Sequence, residues 1–232
     1  MLCLIKHTRL LKLVRKREAN KMGIISTNVN KTGENIPTAS FPVGTTCRSD
    51  APCLKCSRDG GGCYGKQGHL NRKTYRKAME NNLSLYNMSP DSYYHHIHAT
   101  LLMVPYKYFR WFVTGDMPDA YFLPGIAVRL AKEHKETNFL MFTKKYEIVN
   151  EYIVKGNVIP SNLKIVFSCW GDFIPANPYN LPMSYIRFKE EKRNIHIPHD
   201  AMLCEGHCED CVKTDGGCWS LRYGEAVVFK KH

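Results

Sequence analysis

The sequence lacks the short motifs that identify several common enzyme classes. It has no glycine-rich nucleotide loop, no serine nucleophile elbow and no pair of histidines at metal-binding spacing. Three histidines are close together, His95, His96 and His98, but their offsets of one to three residues do not place all three on one face of a helix. No sequence motif therefore supports a nucleotide-dependent enzyme or a serine hydrolase.

Long apolar runs are also missing. Lys and Arg interrupt the apolar residues of positions 1–21 every two or three residues, which is unlike a signal peptide or a membrane span. We therefore expect a cytoplasmic protein without membrane contact. Residues 1–21 are predicted to be a basic leader, either a disordered arm or a start-site artefact, because Met22 would serve equally well as a start. Residues 22–232 are predicted to form one α/β domain.

Acidic residues are relatively scarce, with 21 Asp and Glu against 33 Lys and Arg, for a net charge of +12. Seven of the basic residues and one Glu fall within the leader, so the rest of the chain is only moderately basic. This balance allows a nucleic acid or an anionic small molecule as a partner, and it leaves the oligomeric state open. In the absence of a long basic stripe, a solvated surface explains the excess equally well.

The central part of the chain alternates strand and helix patterns. Aromatic and β-branched runs predict strands at 108–114, 138–143, 163–168, 184–189 and 226–229. Apolar periodicity predicts helices at 69–88, 89–103, 118–134 and 146–155, after an extended or loop-like lead-in at 23–46. The order implies an α/β fold with a parallel sheet, partly barrel-like, built from strand-helix-strand-helix-strand units and flanked by two cysteine loops.

Parallel sheets bind ligands beyond the carboxyl ends of their strands, and polar residues follow each predicted central strand. The candidate catalytic residues there are Asp116, Asp172 and Lys144. The candidate substrate-binding residues are Thr114, Lys145 and Trp170. Lysines at such an edge suit an anionic group such as a phosphate. The alternatives are an exposed basic turn for the lysines and helix capping for the aspartates, with Asp116 beginning the helix at 118–134.

Cysteine provides the strongest signal, because eight of the ten cysteines form two similar loops. The first loop contains Cys47, Cys53, Cys56 and Cys63, and the second contains Cys204, Cys208, Cys211 and Cys218. Each has a C-x2-C pair, then a glycine pair, a further cysteine and an aromatic residue. Four thiols close together, separated by glycines that let the backbone turn tightly, are typical of metal ligation in a reducing compartment. All eight cysteines are therefore predicted metal ligands.

The spacing favours iron-sulfur over zinc. Zinc ribbons generally use two C-x2-C knuckles, whereas each loop here has one knuckle and two single cysteines, as suits a 4Fe-4S cluster. Zinc remains the alternative cofactor. Cys204, Cys208 and Cys211 also have the C-x3-C-x2-C spacing of radical S-adenosylmethionine enzymes, but Cys218 would close the iron that such enzymes keep open.

Several longer stretches resemble the gene-product-88 family of phage and prophage proteins. They are Tyr108-Phe109-Arg110-Trp111-Phe112-Val113-Thr114-Gly115-Asp116-Met117-Pro118-Asp119-Ala120, Phe142-Thr143-Lys144-Lys145-Tyr146-Glu147-Ile148-Val149-Asn150, Phe167-Ser168-Cys169-Trp170-Gly171-Asp172 and Gly216-Gly217-Cys218-Trp219. The resemblance runs from about Ile24 to the end of the chain. It implies a phage or mobile-element origin and carries no activity with it.

Two functions remain open at this point. One is a redox or radical-type enzyme that acts on an anionic substrate at the strand ends. The other is a zinc-stapled module that binds a nucleic acid or a host protein. Its nucleic-acid contacts would be Arg110, Trp111, Lys144, Lys145 and the basic leader. Cys169, after a predicted strand, is either a reactive thiol or a buried free cysteine.

Overall fold

The structure, a computed structural model, describes residues 23–27, 32–55, 62–189, 191, 194–214 and 216–230. Within these residues, seven strands form one sheet: β1 (Thr38–Ala39), β2 (Tyr108–Trp111), β3 (Asn138–Thr143), β4 (Leu163–Ser168), β5 (Met183–Arg187), β6 (Met202–Leu203) and β7 (Ala226–Lys230). The α-helices are α1 (Pro52–Lys55), α2 (Lys73–Met88), α3 (Pro90–Met103), α4 (Arg129–Glu133), α5 (Tyr146–Val154) and α6 (Cys208–Cys211).

All strand pairs in the sheet are parallel, and the spatial order is β1-β2-β3-β4-β5-β7-β6. The predicted α/β class is confirmed. From β1 to β5 each strand lies beside its predecessor without a reversal of direction across the sheet, which is the order of a barrel wall. The carboxyl ends of the central strands therefore share one edge.

The two faces of the sheet have different coverings. One face packs against the helices through a large apolar and aromatic core that includes Phe109, Trp111 and Phe139. The opposite face, with Leu140, Val166 and Val227, packs against the second cysteine loop and its Trp219. Because side chains alternate along a strand, neighbouring residues of β2 serve different cores.

Several predicted elements are confirmed closely. The strands at 138–143 and 163–168 have the predicted bounds, and α3 begins as its sequence suggests. The Ser89 hydroxyl accepts a hydrogen bond from the Ser92 backbone N–H at 3.0 Å, and Pro90 occupies the first helical position.

The strand predicted at 108–114 is too long, since β2 ends at Trp111. The next residue, Phe112, has a φ of 53°, a left-handed conformation that is uncommon for a non-glycine residue and interrupts an extended strand. Its ring packs at 5.8 Å from that of Phe41 and at 5.2 Å from that of Phe122. Core packing therefore overrides the β propensity of this run.

The helix predicted at 118–134 is also divided. A π-helical segment, Leu123–Val128, comes before the short α4. Pro124 lacks the N–H that an ordinary helical turn would use, which favours a local change of winding. Gly125 supplies room, because a Cβ at this position would lie 2.4 Å from the Tyr121 ring.

The lead-in at 23–46, predicted to be extended or loop-like, contains β1 at one edge of the sheet. The leader at 1–21 lies outside the described residues. Within the part of the chain that is described, no helix is both long enough and apolar enough to cross a membrane.

Candidate metal and strand-edge sites

The second cysteine loop folds tightly beneath the sheet. It consists of α6, a turn with left-handed glycines at Gly216 (φ 86°) and Gly217 (φ 51°), and a 3-10 turn at Gly217–Trp219. A Cβ on Gly217 would lie 2.6 Å from the Cβ of Cys211 and 3.0 Å from its sulfur. Glycine is therefore required for the close approach of the two halves of the loop.

The four cysteines of this loop line one small cavity between the loop and the sheet. Strand residues and the loop tryptophan complete its lining: Arg110, Leu140, Phe142, Cys204, Cys208, Cys211, Cys218, Trp219 and Phe229. Apart from the cysteines and Arg110, this lining is hydrophobic. The tertiary fold thus gathers all four predicted ligands of the second loop around a common space.

Arg110 is the one charged residue in this lining. It is buried in the middle of β2, and its Nη1 donates a hydrogen bond to the Cys208 sulfur at 3.2 Å across 98 residues of sequence. The guanidinium carbon lies 5.1 Å from the centre of the Phe142 ring. Its Nε is buried without a hydrogen-bond partner. Burial disfavours the charge, but Cys208, Tyr64 and Cys218 more than offset this and raise the pKa of Arg110.

The Cys218 thiol is in an environment that opposes its ionisation. Burial and the neighbouring Cys208 and Cys204 raise the pKa of Cys218 to about 12. A metal cation would reverse this preference, since thiolates are the form that binds metal.

The four cysteines are suitable metal ligands by residue type, but their positions do not form a site for a single metal ion. Among the residues that the structure describes, no three or more His, Cys, Asp or Glu side chains are grouped so as to hold a metal ion. A single tetrahedral zinc would need sulfur atoms about 3.8 Å apart, given a Zn–S bond of about 2.3 Å. An iron-sulfur cluster attaches its thiolates to separate irons and so needs them around a larger space. The cavity between the four thiols and Arg110 is small, so the feature that fits a metal centre here is the donor set and not the available space.

The first cysteine loop lies at the carboxyl edge of the central strands. Cys47, Cys53 and Cys63 are partly buried, and Cys56 lies outside the described residues. The Cys63 N–H donates to the Cys53 carbonyl at 2.9 Å, and the Gly44 N–H donates to the Cys47 sulfur at 3.4 Å. The Cys53 thiol also donates to the Cys63 sulfur, which lowers the pKa of Cys63 to about 7 and raises that of Cys53.

Lys144 is the cation beside this loop. Its ammonium donates to the Ser168 hydroxyl at 2.8 Å, and its charge favours the thiolates of Cys47, Cys53 and Cys63. Cys169, by contrast, is buried, and burial raises the pKa of its thiol to about 12. The buried alternative for Cys169 is confirmed.

Asp116 is buried, and its carboxylate links the segment after β2 to the end of β3 through hydrogen bonds. Its carboxylate accepts hydrogen bonds from the Thr143 hydroxyl at 2.7 Å and from the N–H groups of Lys144 and Met117, each at 2.8 Å. Burial nevertheless raises its pKa. The capping alternative is wrong for Asp116, because its carboxylate contacts Thr143, Lys144 and Met117 and not the start of the next helical segment. The Phe122 N–H, directly before that segment, donates instead to the Asp119 carboxylate at 3.1 Å.

The other strand-edge candidates are more dispersed. Thr114 and Lys145 are engaged with the backbone, because the Thr114 hydroxyl donates to the Phe41 carbonyl and the Lys145 ammonium to the Pro118 carbonyl. The Trp170 ring packs edge-on against Phe188. The Asp172 side chain is 84% exposed and lies 3.7 Å from His196. The structure thus gathers Lys144, Ser168 and the first loop, while Asp172 points to solvent.

A known protein family matches the central region of the chain. The family model described as Gene product 88 matches residues 10–182, which is more than half of the chain. The chain belongs to the gene product 88 family. The matched residues include the first cysteine loop and the central strands, whereas the second cysteine loop lies beyond them. No curated protein and no solved structure matches the chain.

Sequence reasoning did not connect Arg110 with the second cysteine loop. It proposed Arg110 and Trp111 as nucleic-acid contacts, and this is wrong for both, because both side chains are buried. The alternation of side chains along β2 could have predicted this contact. Arg110 stands between Phe109 and Trp111, so its side chain lies on the opposite face of the sheet from their core.

Proposed function

We propose that this gene product 88 protein is an iron-sulfur protein of phage origin that works in the cytoplasm of the bacterial host. One observation carries the proposal: Cys204, Cys208, Cys211 and Cys218 line a single cavity together with the buried Arg110. Four thiolates would supply the ligands of a 4Fe-4S cluster, and the guanidinium would balance its negative charge.

We propose a second centre in the first cysteine loop, at the edge of the sheet where α/β proteins bind their substrates. Cys47, Cys53 and Cys63 are less buried than Cys208 and Cys218, and Lys144 stands beside them. This placement favours a redox role on an anionic substrate, with Lys144 as the cation that attracts it. Such a centre would exchange electrons, and Lys144 and Ser168 would orient the substrate.

The test is metal and sulfide analysis of protein purified without oxygen, together with its visible absorption spectrum. We expect iron and acid-labile sulfide in equal amounts and a broad absorption that bleaches with dithionite. A colourless protein that contains zinc would overturn the iron-sulfur assignment and favour two zinc staples instead. Reconstitution with iron and sulfide after purification in air distinguishes a lost cluster from one that never forms.

A matched pair of variants locates the centre. Cys208→Ser removes a proposed ligand, and we expect the iron of the second loop to be lost. Cys169→Ser changes a buried cysteine outside both loops, and we expect its iron content to equal that of the wild type. Equal iron in all three proteins would exclude the second loop as the site.

A further inference from the structure

Arg110 is placed where a charged residue is costly. The middle of a parallel strand that is covered on both faces is apolar, and a buried guanidinium requires compensation by a negative group. Among the described residues no carboxylate pairs with it, and the other contacts are a cysteine sulfur and an aromatic ring. Among the described residues, the group that accepts a hydrogen bond from this cation is a sulfur of the second cysteine loop.

The hydrogen-bonding of this guanidinium is incomplete. Nη1 donates to the Cys208 sulfur at 3.2 Å, but Nε is buried without a partner. An unpaired buried donor generally costs about 1–3 kcal/mol, so native proteins rarely leave one unfilled. An anionic group in the cavity that Arg110 lines would supply the missing acceptor. Arginine suits this role because its planar donors can reach two acceptor atoms at once.

From these contacts we propose that Arg110 is a positioning residue that sets the reduction potential of the centre held by the second cysteine loop. This inference rests on the proposed function. When dithionite donates an electron, the centre gains negative charge in a surrounding of low polarity. A fixed positive charge and a hydrogen bond to a ligand sulfur stabilise that reduced state, and therefore raise the potential.

The experiment compares three variants with the wild type by spectroelectrochemical titration of reconstituted protein. Arg110→Met removes the charge and the donors, and Arg110→Lys keeps the charge but loses the planar donors. Arg187→Met, a matched control, changes an exposed arginine in β5. We expect a shift to more negative potential for Arg110→Met, a smaller shift in the same direction for Arg110→Lys, and no shift for Arg187→Met.

The outcomes separate this inference from the proposed function. If wild-type protein binds no iron, the proposed function fails, and the inference falls with it. If iron is bound and the potentials of both Arg110 variants equal that of the wild type, the inference is overturned while the proposed function stands. Should Arg110→Met fail to fold or to retain iron, Arg110→Lys decides: a negative shift supports the role of the guanidinium, and an unchanged potential rejects it.

Discussion

The two cysteine loops have nearly the same cysteine and glycine pattern but occupy different environments. The second loop is packed under the sheet, with Cys208, Cys218 and Trp219 buried and Arg110 against its sulfur. The first loop lies at the strand edge, where its described cysteines are partly exposed and Lys144 is their nearby cation. Similar cysteine spacing therefore occurs in one buried and one accessible environment, because the fold places different elements around each loop.

This difference suggests a division of roles. A centre enclosed by apolar side chains is protected from solvent and suits electron storage or structural support, whereas one at the strand edge can meet a substrate. The following expectations test the comparison, from the largest effect to the smallest.

Removal of one ligand from each loop tests whether both hold metal. We expect Cys208→Ser and Cys47→Ser each to reduce bound iron to about half, if each loop holds its own cluster. Cys208→Ser should lower the melting temperature more, because its centre lies within a packed core and metal binding there is coupled to folding. Iron analysis and thermal unfolding of the reconstituted proteins provide the measurement. Equal losses of melting temperature would contradict the division into buried and accessible centres.

Asp116 tests what holds the segment after β2 against the end of β3. Its N–H donates to the Thr46 hydroxyl at 3.0 Å, directly before Cys47, and its carboxylate binds the end of β3. We expect Asp116→Ala to lower the free energy of unfolding by about 3 kcal/mol, because it removes charged hydrogen bonds and leaves buried donors unpaired. Urea unfolding provides the measurement.

The control for that experiment is Asp172→Ala, which changes the exposed aspartate of the same sheet edge. We expect its stability to match that of the wild type, as for most surface substitutions. A loss of stability in Asp172→Ala as large as in Asp116→Ala would refute the structural role assigned to the buried carboxylate.

The aromatic residues that follow the last cysteine of each loop make a second matched pair. The Trp219 indole N–H donates to the Asn138 carbonyl at 3.1 Å and the ring is buried, whereas Tyr64 is 44% exposed and its hydroxyl donates to the Val113 carbonyl. We expect Trp219→Phe to cost about 2 kcal/mol and Tyr64→Phe about 0.5 kcal/mol of unfolding free energy, since burial raises the cost of a lost contact. Similar costs in urea unfolding would mean that the two loops are packed alike.

A histidine pair away from both loops should make the free energy of unfolding depend on pH independently of the cysteines. The His134 Nε2 lies 2.9 Å from the His98 Nδ1, and Glu133, Tyr94 and Arg129 complete the surroundings. Burial and His98 lower the pKa of His134. The unfolded chain therefore binds more protons, so the free energy of unfolding should fall as the pH drops below about 6.5.

His134→Asn should flatten this dependence, and His95→Asn, at an exposed position of the same helix as His98, should leave it intact. Urea unfolding at pH 5 to 7.5 measures both. If the slope persists in His134→Asn, another group is responsible, and any pH effect in the cysteine variants must be compared with that group instead.

Much of the fold follows from local pattern. The buried runs at 138–143 and 163–168 and the cap at Ser89 are visible in the sequence because β propensity, turn residues and helix capping act over a few positions. The strand at 108–114 and the helix at 118–134 were predicted too long, because the left-handed Phe112 and the π-helical turn at Pro124 depend on packing partners. The two-residue strands β1 and β6 were missed, since so short a segment has no periodicity of its own.

The sequence by itself determined the two four-cysteine patterns, the parallel strand-helix order and the family resemblance, because each depends on spacing along the chain. Only the tertiary structure decided which loop is buried and that Arg110 contacts Cys208 across 98 residues. It also decided that the Asp116 carboxylate binds the end of β3 and does not cap a helix. Burial and such contacts arise from the packing of distant segments, and no local spacing encodes which segments will meet.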